Sequence, residues 1–315
     1  MTVRSDLTEL PGFLLDQFGS AVTVESMEVL NERHDYLVLD VALQHPHIRV
    51  IVKLAGPESP MSAQFERTAA IHRLVEAQTQ IPMPETIAAD ESYRRWPWRF
   101  FIRAYLEGEE WSTTVAKMSP KQAQDAFRQI GWAVGQLHQI SFDGFGEIGA
   151  AGRVSEPGLL MGALRERARA RITAEPLREL FFAALEQRAG LFDPSAPVLD
   201  HEDLHQHNIL FRQTGSSWSL AAILDFDKAW AGSAESDLAR MDLWNMTGDF
   251  FYDGYTSILP VPSGYAGRRA LYQFFWCLEY AKPTADHLAL TQGFCREFGL
   301  PVIRQFRPVV IEPGF

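Results

Sequence analysis

The sequence predicts an α+β fold, with a β-rich first section built around one helix and a larger, mainly helical second section. Three observations carry that expectation. Short β-branched and alternating apolar runs crowd the first hundred positions. Apolar residues recur at helical spacing from residue 119 onward. The 315 residues are 46% hydrophobic and 12% aromatic, enough for one large core or two ordinary ones, which excludes a disordered chain. The expected division is 1–106 and 107–315.

Residues 21–30 and 35–43 read as strands, followed by the apolar run Val50-Ile51-Val52-Lys53-Leu54 with its single lysine. Residues 61–77 read as a helix, with Ser62 as a candidate N-cap and Phe65, Ile71, Leu74 and Val75 as its stripe. Ile81-Pro82-Met83-Pro84 ends it, because proline continues neither a helix nor a central strand. Strands are expected at 85–89 and 99–106, around a turn at 93–97. Gly108 closes the section. Residues 119–139 then read as a helix, with Pro120 in the first turn and Phe127, Ile130, Val134 and Leu137 on one face. One or two helices are expected over 158–190. Strand-like patches follow at 198–211 and 220–226, and helix dominates from Asp237 onward.

Charge and cysteines narrow the function classes. With 29 basic and 40 acidic residues, the net charge of −11 argues against a nucleic-acid binder, which needs a basic face, and tolerates a cationic partner. Cys277 and Cys295 form no Cys-x-x-Cys pair and read as reduced core thiols of a cytoplasmic protein. The first 24 residues carry Asp6, Glu9 and Asp16 and do not read as a secretory signal. No apolar run reaches 18 residues, so no membrane partner is expected.

The most informative stretch runs from Val198 to Phe211. Its centre gathers His201, Glu202, Asp203, His205, His207 and Asn208, and such a polar cluster between apolar ends suits a site better than a core. Asp203 and Asn208 stand five apart, the spacing of a phosphoryl-transfer loop in which Asp accepts a hydroxyl proton and Asn holds magnesium. Seventeen residues beyond Asn208, Asp225 ends the apolar run Ala221-Ala222-Ile223-Leu224 and supplies a second hard oxygen ligand. Lys53, one of five lysines, completes the set as a grip on nucleotide phosphates.

These residues resemble the aminoglycoside phosphotransferase and choline kinase-like family of small-molecule kinases. The family loop His-Gly-Asp-Leu-His-x-x-Asn-Ile-Leu appears as His201-Glu202-Asp203-Leu204-His205-Gln206-His207-Asn208-Ile209-Leu210. Leu224-Asp225-Phe226-Asp227 and Asp237-Leu238-Ala239 match its later elements. Residues 101–108 look like its inter-lobe hinge, Gly135-Gln136-Leu137-His138 like its Leu-His helix end, and Phe142–Gly146 like its Gly-Phe-Gly turn. The likeness spans roughly residues 20–280.

The resemblance implies a protein kinase-like two-lobed fold, with an antiparallel N-terminal lobe that holds ATP (or GTP) and a helical catalytic and acceptor-binding lobe. It implies the base role for Asp203, magnesium ligation for Asn208 and Asp225, and nucleotide binding for Lys53, Ala104 and Leu106. The acceptor it implies is a hydroxyl on a small molecule, with an aminoglycoside or related antibiotic, and hence antibiotic resistance, first. An amino alcohol, sugar or amino acid is the alternative. Glu235, Asp242, Asp249 and Asp253 are candidate contacts for a cationic acceptor.

Three departures stand out. Glu202 replaces the usual glycine, which raises a rival base. The segment 31–35 has no glycine to cover phosphates. The helix acid that would pair with Lys53 falls at Thr68, with Glu66 on another face, so the lysine's partner is open. Two other classes compete. His201, Asp203, His205 and His207 would share one face of a strand and hold zinc in a metallohydrolase. A catalytically silent kinase-like binding protein is the other, although such proteins usually lose the base or a metal ligand.

Overall fold

In the computed structural model of the chain, which describes residues 7–45, 47–59, 64–192 and 196–312, the elements follow in this order. The early ones are α1 (Leu10–Phe18), β1 (Thr23–Arg33), β2 (Tyr36–Gln44), β3 (Ile48–Ala55), α2 (Phe65–Gln78), β4 (Thr86–Asp90), β5 (Arg99–Ala104), β6 (Glu109–Glu110) and α3 (Trp111–Thr114). The middle ones are α4 (Pro120–Leu137), α5 (Leu160–Arg171), α6 (Glu175–Gln187), β7 (Val198–Asp200), β8 (Ile209–Thr214), β9 (Ser217–Ile223) and β10 (Trp230–Gly232). The chain ends with α7 (Ala234–Leu243), α8 (Asp249–Thr256), α9 (Tyr265–Tyr280), α10 (Ala285–Glu297), β11 (Val302–Phe306) and β12 (Val309–Glu312).

Contacts group the chain into two compact units. The first holds Met1–Lys117, Gly149–Arg153 and His207–Lys228; the second holds Met118–Ile148, Val154–Gln206 and Ala229–Phe315. This differs from a single cut after residue 106. The reason is strand pairing: β6 pairs with β8, and β8 with β9, so a three-stranded sheet ties 207–228 to the first unit.

In the first unit, five strands form an antiparallel sheet of order β1-β2-β3-β5-β4. Strand residues alternate between its faces. Leu37, Leu39, Val41, Val50, Val52, Leu54, Phe100 and Ile102 pack against Leu10 and Leu14 of α1 and against Trp96 and Trp98. On the opposite face, Tyr36, Ala55 and Phe101 pack against Phe65 and Ala69 of α2. The sequence reading missed α1, because Leu10-Pro11-Gly12 looks like a break; here Pro11 sits in the first turn, where its missing N–H is harmless. Ser62 lies outside the described residues, and Gln64 occupies the cap position of α2.

In the second unit, Ser119 caps α4 in a reciprocal pair with Gln122. Helices α4 and α8 approach until backbones touch. A Cβ at Gly131 would stand 1.9 Å from the Phe251 carbonyl, and one at Gly254 would stand 2.0 Å from the Arg128 carbonyl. Only glycine allows that contact, which brings His138 at the end of α4 to Tyr255 on α8. Residues 158–190 form two helices, α5 and α6. The hairpin β11–β12 was not expected from the sequence. Among the described residues, no helix is long and apolar enough to cross a membrane.

Candidate active site

Lys53 pairs with Phe101 across β3 and β5, so its side chain leaves the sheet on the α2 face. It is buried, and its Nζ donates to Asp225 Oδ1 at 2.8 Å and to Asp227 Oδ2 at 3.0 Å. Burial alone would pull this ammonium down, but the two carboxylates outweigh it and hold it well above its ordinary value. Lys53 therefore stays charged. The Thr68 hydroxyl donates to Asp227 Oδ1 at 2.9 Å, and Arg67 donates to the Asp227 carbonyl at 3.0 Å. Asp227 thus stands between helix α2 and the lysine. Burial raises its carboxyl, against the pull of Lys53 and with the repulsion of Asp225.

The β8–β9 hairpin brings Asn208 beside this cluster. The Leu224 N–H donates to the Asn208 carbonyl at 2.8 Å, extending the ladder by one step past Ile209–Ile223. Asp225 follows directly, with φ +67, a left-handed conformation uncommon for a residue with a side chain. Its side chain is 42% exposed, so solvent reaches the carboxylate that Lys53 holds. Asn208, Asp225 and Asp227 offer the hard oxygen donors that suit magnesium.

Ala104 ends β5. Its N–H donates to the Glu85 carbonyl at 2.9 Å, and its own carbonyl accepts from Arg103 Nη1 at 3.3 Å. Leu106 follows, half-buried. The β1–β2 turn is made without glycine: His34 and Asp35 take φ +36 and +59, and Asp35 binds the Gly56 N–H at 2.9 Å through its carbonyl.

In the second unit, the loop after β7 carries Asp203. Asp237 of α7 is fully buried and accepts from the His201 N–H and the Glu202 N–H, both at 2.7 Å. The His138 ring bridges Asp237 at 3.3 Å and the Tyr255 hydroxyl at 3.0 Å. Burial would raise the Asp237 carboxyl; the bond from His138 and the charges around it hold it below its ordinary value. The Leu-His and Asp-Leu-Ala segments therefore meet and clamp the loop backbone. The Asp203 N–H donates to His201 Nδ1 at 3.2 Å, and Asp203 Oδ1 accepts from the Tyr280 hydroxyl at 2.9 Å.

Glu202 is not beside the base. It keeps the left-handed backbone of a glycine, with φ +67, and turns its side chain into the interior. There it meets the Arg240 guanidinium, the Ser236 hydroxyl and Trp230 Nε1, the last at 3.2 Å. The zinc arrangement also fails. Residues 201–208 form no strand, His205 packs edge-on against Trp244, and His207 binds Glu110 at 2.6 Å. Among the described residues, no three His, Cys, Asp or Glu side chains converge to hold a metal.

The acids offered for a cationic acceptor are largely engaged. Glu235 is buried against Arg268, Asp242 meets Arg269 at 3.1 Å, and Asp253 meets Arg128 at 3.4 Å. Glu235 is withdrawn as an acceptor contact. The sequence reading named Asp227 and Thr68 without assigning either a role, and it missed Tyr280. Asp227 lies inside a motif already singled out; Tyr280 lies in none.

Residues 31–271 match the phosphotransferase enzyme family. A probable ketoamine kinase of Klebsiella pneumoniae is 33% identical over 97 residues, 31% of this chain and 73% of that protein. Among solved structures, one provisionally named a fructosamine-3-kinase, from Haemophilus somnus 129PT, superposes with a TM-score of 0.67 at 18% identity, covering 92% of this chain and 96% of that one. The aminoglycoside phosphotransferase APH(4)-Ia superposes with a TM-score of 0.62 at 15% identity, covering 93% and 98%. The fold is protein kinase-like. The chain belongs to the phosphotransferase enzyme family and is a small-molecule phosphotransferase with an alcohol group as acceptor.

Proposed function

We propose that the chain moves the γ-phosphoryl group of ATP or GTP to a hydroxyl of a small polar molecule, with Asp203 as the base and Lys53, Asn208 and Asp225 at the phosphates. The observation that carries this reading is the ion cluster around the buried Lys53. Lys53 meets two carboxylates some 170 positions away, at the end of the hairpin that also presents Asn208. Burying the lysine is costly unless it is paired, and the two carboxylates pair it at the mouth of a partly exposed site. Solved relatives of the same fold are complexes with ADP and with AMP-PNP, which supports a nucleotide as donor.

The first unit binds the nucleotide. Lys53 contacts its phosphates, and the base lies against the Ala104 carbonyl and the backbone at Leu106. Magnesium, held by Asn208 and Asp225, would neutralise charge on the phosphates. The second unit supplies Asp203, which positions the acceptor hydroxyl and takes its proton late, as a loose transition state requires. Burial and the Asp203 carboxylate push the Tyr280 phenol up, so it stays protonated and donates to Asp203 Oδ1.

The acceptor is a sugar-like polyhydroxyl compound, an aminoglycoside or a ketoamine. Relatives described as ketoamine kinase and as aminoglycoside phosphotransferase support both. The pairing of Glu235, Asp242 and Asp253 with arginines favours the less cationic of the two. The buried free thiols Cys277 and Cys295 fit a cytoplasmic location. A screen of nucleotide consumption over aminoglycosides, ketoamines, sugars and amino alcohols tests the reading. Phosphorylated product from one class assigns the acceptor; consumption with none overturns it.

A further inference from the structure

Arg103 is the penultimate residue of β5 and pairs with Ile51 of β3. Its side chain therefore leaves the sheet on the same face as Phe101 and Lys53. It is largely withdrawn from water: burial pulls the guanidinium down to about 10, opposed by the charges of Asp225, Asp40 and Asp227. Among the described residues no carboxylate lies within ion-pair distance of it. Its side-chain bond is the one from Nη1 to the Ala104 carbonyl, a long 3.3 Å. A guanidinium has five N–H donors, and an under-bonded cation in a half-buried place calls for an acceptor.

We propose that Arg103 reads the nucleobase and selects a purine carrying a 6-oxo group, so that GTP is preferred to ATP. The inference rests on the nucleotide reading above and adds to it the identity of the base. At Ala104 both peptide groups are engaged, the N–H by Glu85 and the carbonyl by Arg103. An adenine 6-amino group is a donor. It would face a donor-only guanidinium and would have to displace it from the Ala104 carbonyl. Guanine presents O6 and N7, two acceptors spaced for the paired N–H groups of one guanidinium. Guanine satisfies the cation, whereas adenine leaves donors facing donors.

The test is calorimetric binding of ATP, GTP and ITP, each with magnesium, to the full chain, which needs no acceptor. ITP shares O6 and N7 with GTP but lacks the 2-amino group. GTP and ITP should bind about tenfold or more tightly than ATP, and Arg103→Met should erase the difference by weakening both. The three-nucleotide comparison on the unaltered chain stands even if the variant fails to fold. ATP binding as tightly as GTP overturns the inference. So does weak ITP with tight GTP, which gives the discrimination to the 2-amino group, or an unchanged ratio in Arg103→Met. Binding of none of the three overturns the nucleotide reading itself.

Discussion

The Glu202 carboxylate lies against the Arg240 guanidinium, and both side chains are almost wholly buried. Arg240 also donates to the Glu202 carbonyl at 2.8 Å, so the arginine holds the residue at both ends. The backbone there is left-handed, which costs about 1–3 kcal/mol for a residue with a side chain. The ion pair and the bonds from Ser236 and Trp230 over-determine the conformation. Glu202 therefore shapes the loop that presents Asp203 and takes no proton from an acceptor.

This pairing predicts a pH-dependent stability. Burial alone would raise the Glu202 carboxyl; Arg240 and Arg167 outweigh it and hold the carboxyl far below its ordinary value. A folded value lying below the unfolded one contributes stability that is present at neutral pH. That stability is lost as pH falls below about 4 and on through the folded value. Glu202→Gln should cost about 1.5–3 kcal/mol at pH 7, because it takes from the buried Arg240 one of its two carboxylate partners, the other being Glu279 at 3.0 Å. The gap between the two proteins should narrow at pH 3. Denaturant melts at the two pH values check this; a gap that widens in acid would contradict it.

The polar loop at 201–208, Asp225 and Lys53 were legible in the sequence as a candidate site because phosphoryl transfer demands those residue types at short, recognisable spacings. The order of strands around one major helix was legible from alternation. Tyr280 was not, because it reaches Asp203 from 77 positions away at the end of an apolar helix, where no local pattern marks it. Glu202 looked like a rival base because sequence shows its neighbour Asp203 and hides Arg240, which arrives from another helix. The acids of the C-terminal section looked like contacts for a cationic acceptor for the same reason: charge is visible in sequence, and its arginine partners are not.

Lys53→Ala should weaken nucleotide binding by at least about tenfold, since it removes the charge at the phosphates and leaves Asp225 and Asp227 facing each other. The exposed Lys121 is the control, and Lys121→Ala should change nothing. Nucleotide titration of both variants checks this, and equal small effects would remove Lys53 from the site.

Asp225→Asn should abolish turnover while the protein remains folded. Asparagine tolerates the left-handed backbone found at this position, so the change removes a charge without adding strain. Melting temperature and turnover at millimolar magnesium, measured together, check it. Near-normal turnover would show that the carboxylate is not a ligand.

Tyr280→Phe deletes only the hydroxyl that donates to Asp203 Oδ1. The turnover number should fall about tenfold, the loss of one hydrogen bond to a charged group, with the nucleotide KM unchanged. Steady-state kinetics separate the two. A rise in nucleotide KM at constant turnover would assign Tyr280 to nucleotide binding.

The central claim is that Asp203, and not its neighbour, takes the acceptor proton. Its most direct test is one phosphoryl-transfer assay of the unaltered chain, Asp203→Ala and Glu202→Gln, with turnover expressed per folded molecule. Asp203→Ala should lose at least about 10²-fold while keeping its nucleotide affinity, and Glu202→Gln should retain turnover despite its lower stability. A dead, folded Glu202→Gln beside a working Asp203→Ala would contradict the account.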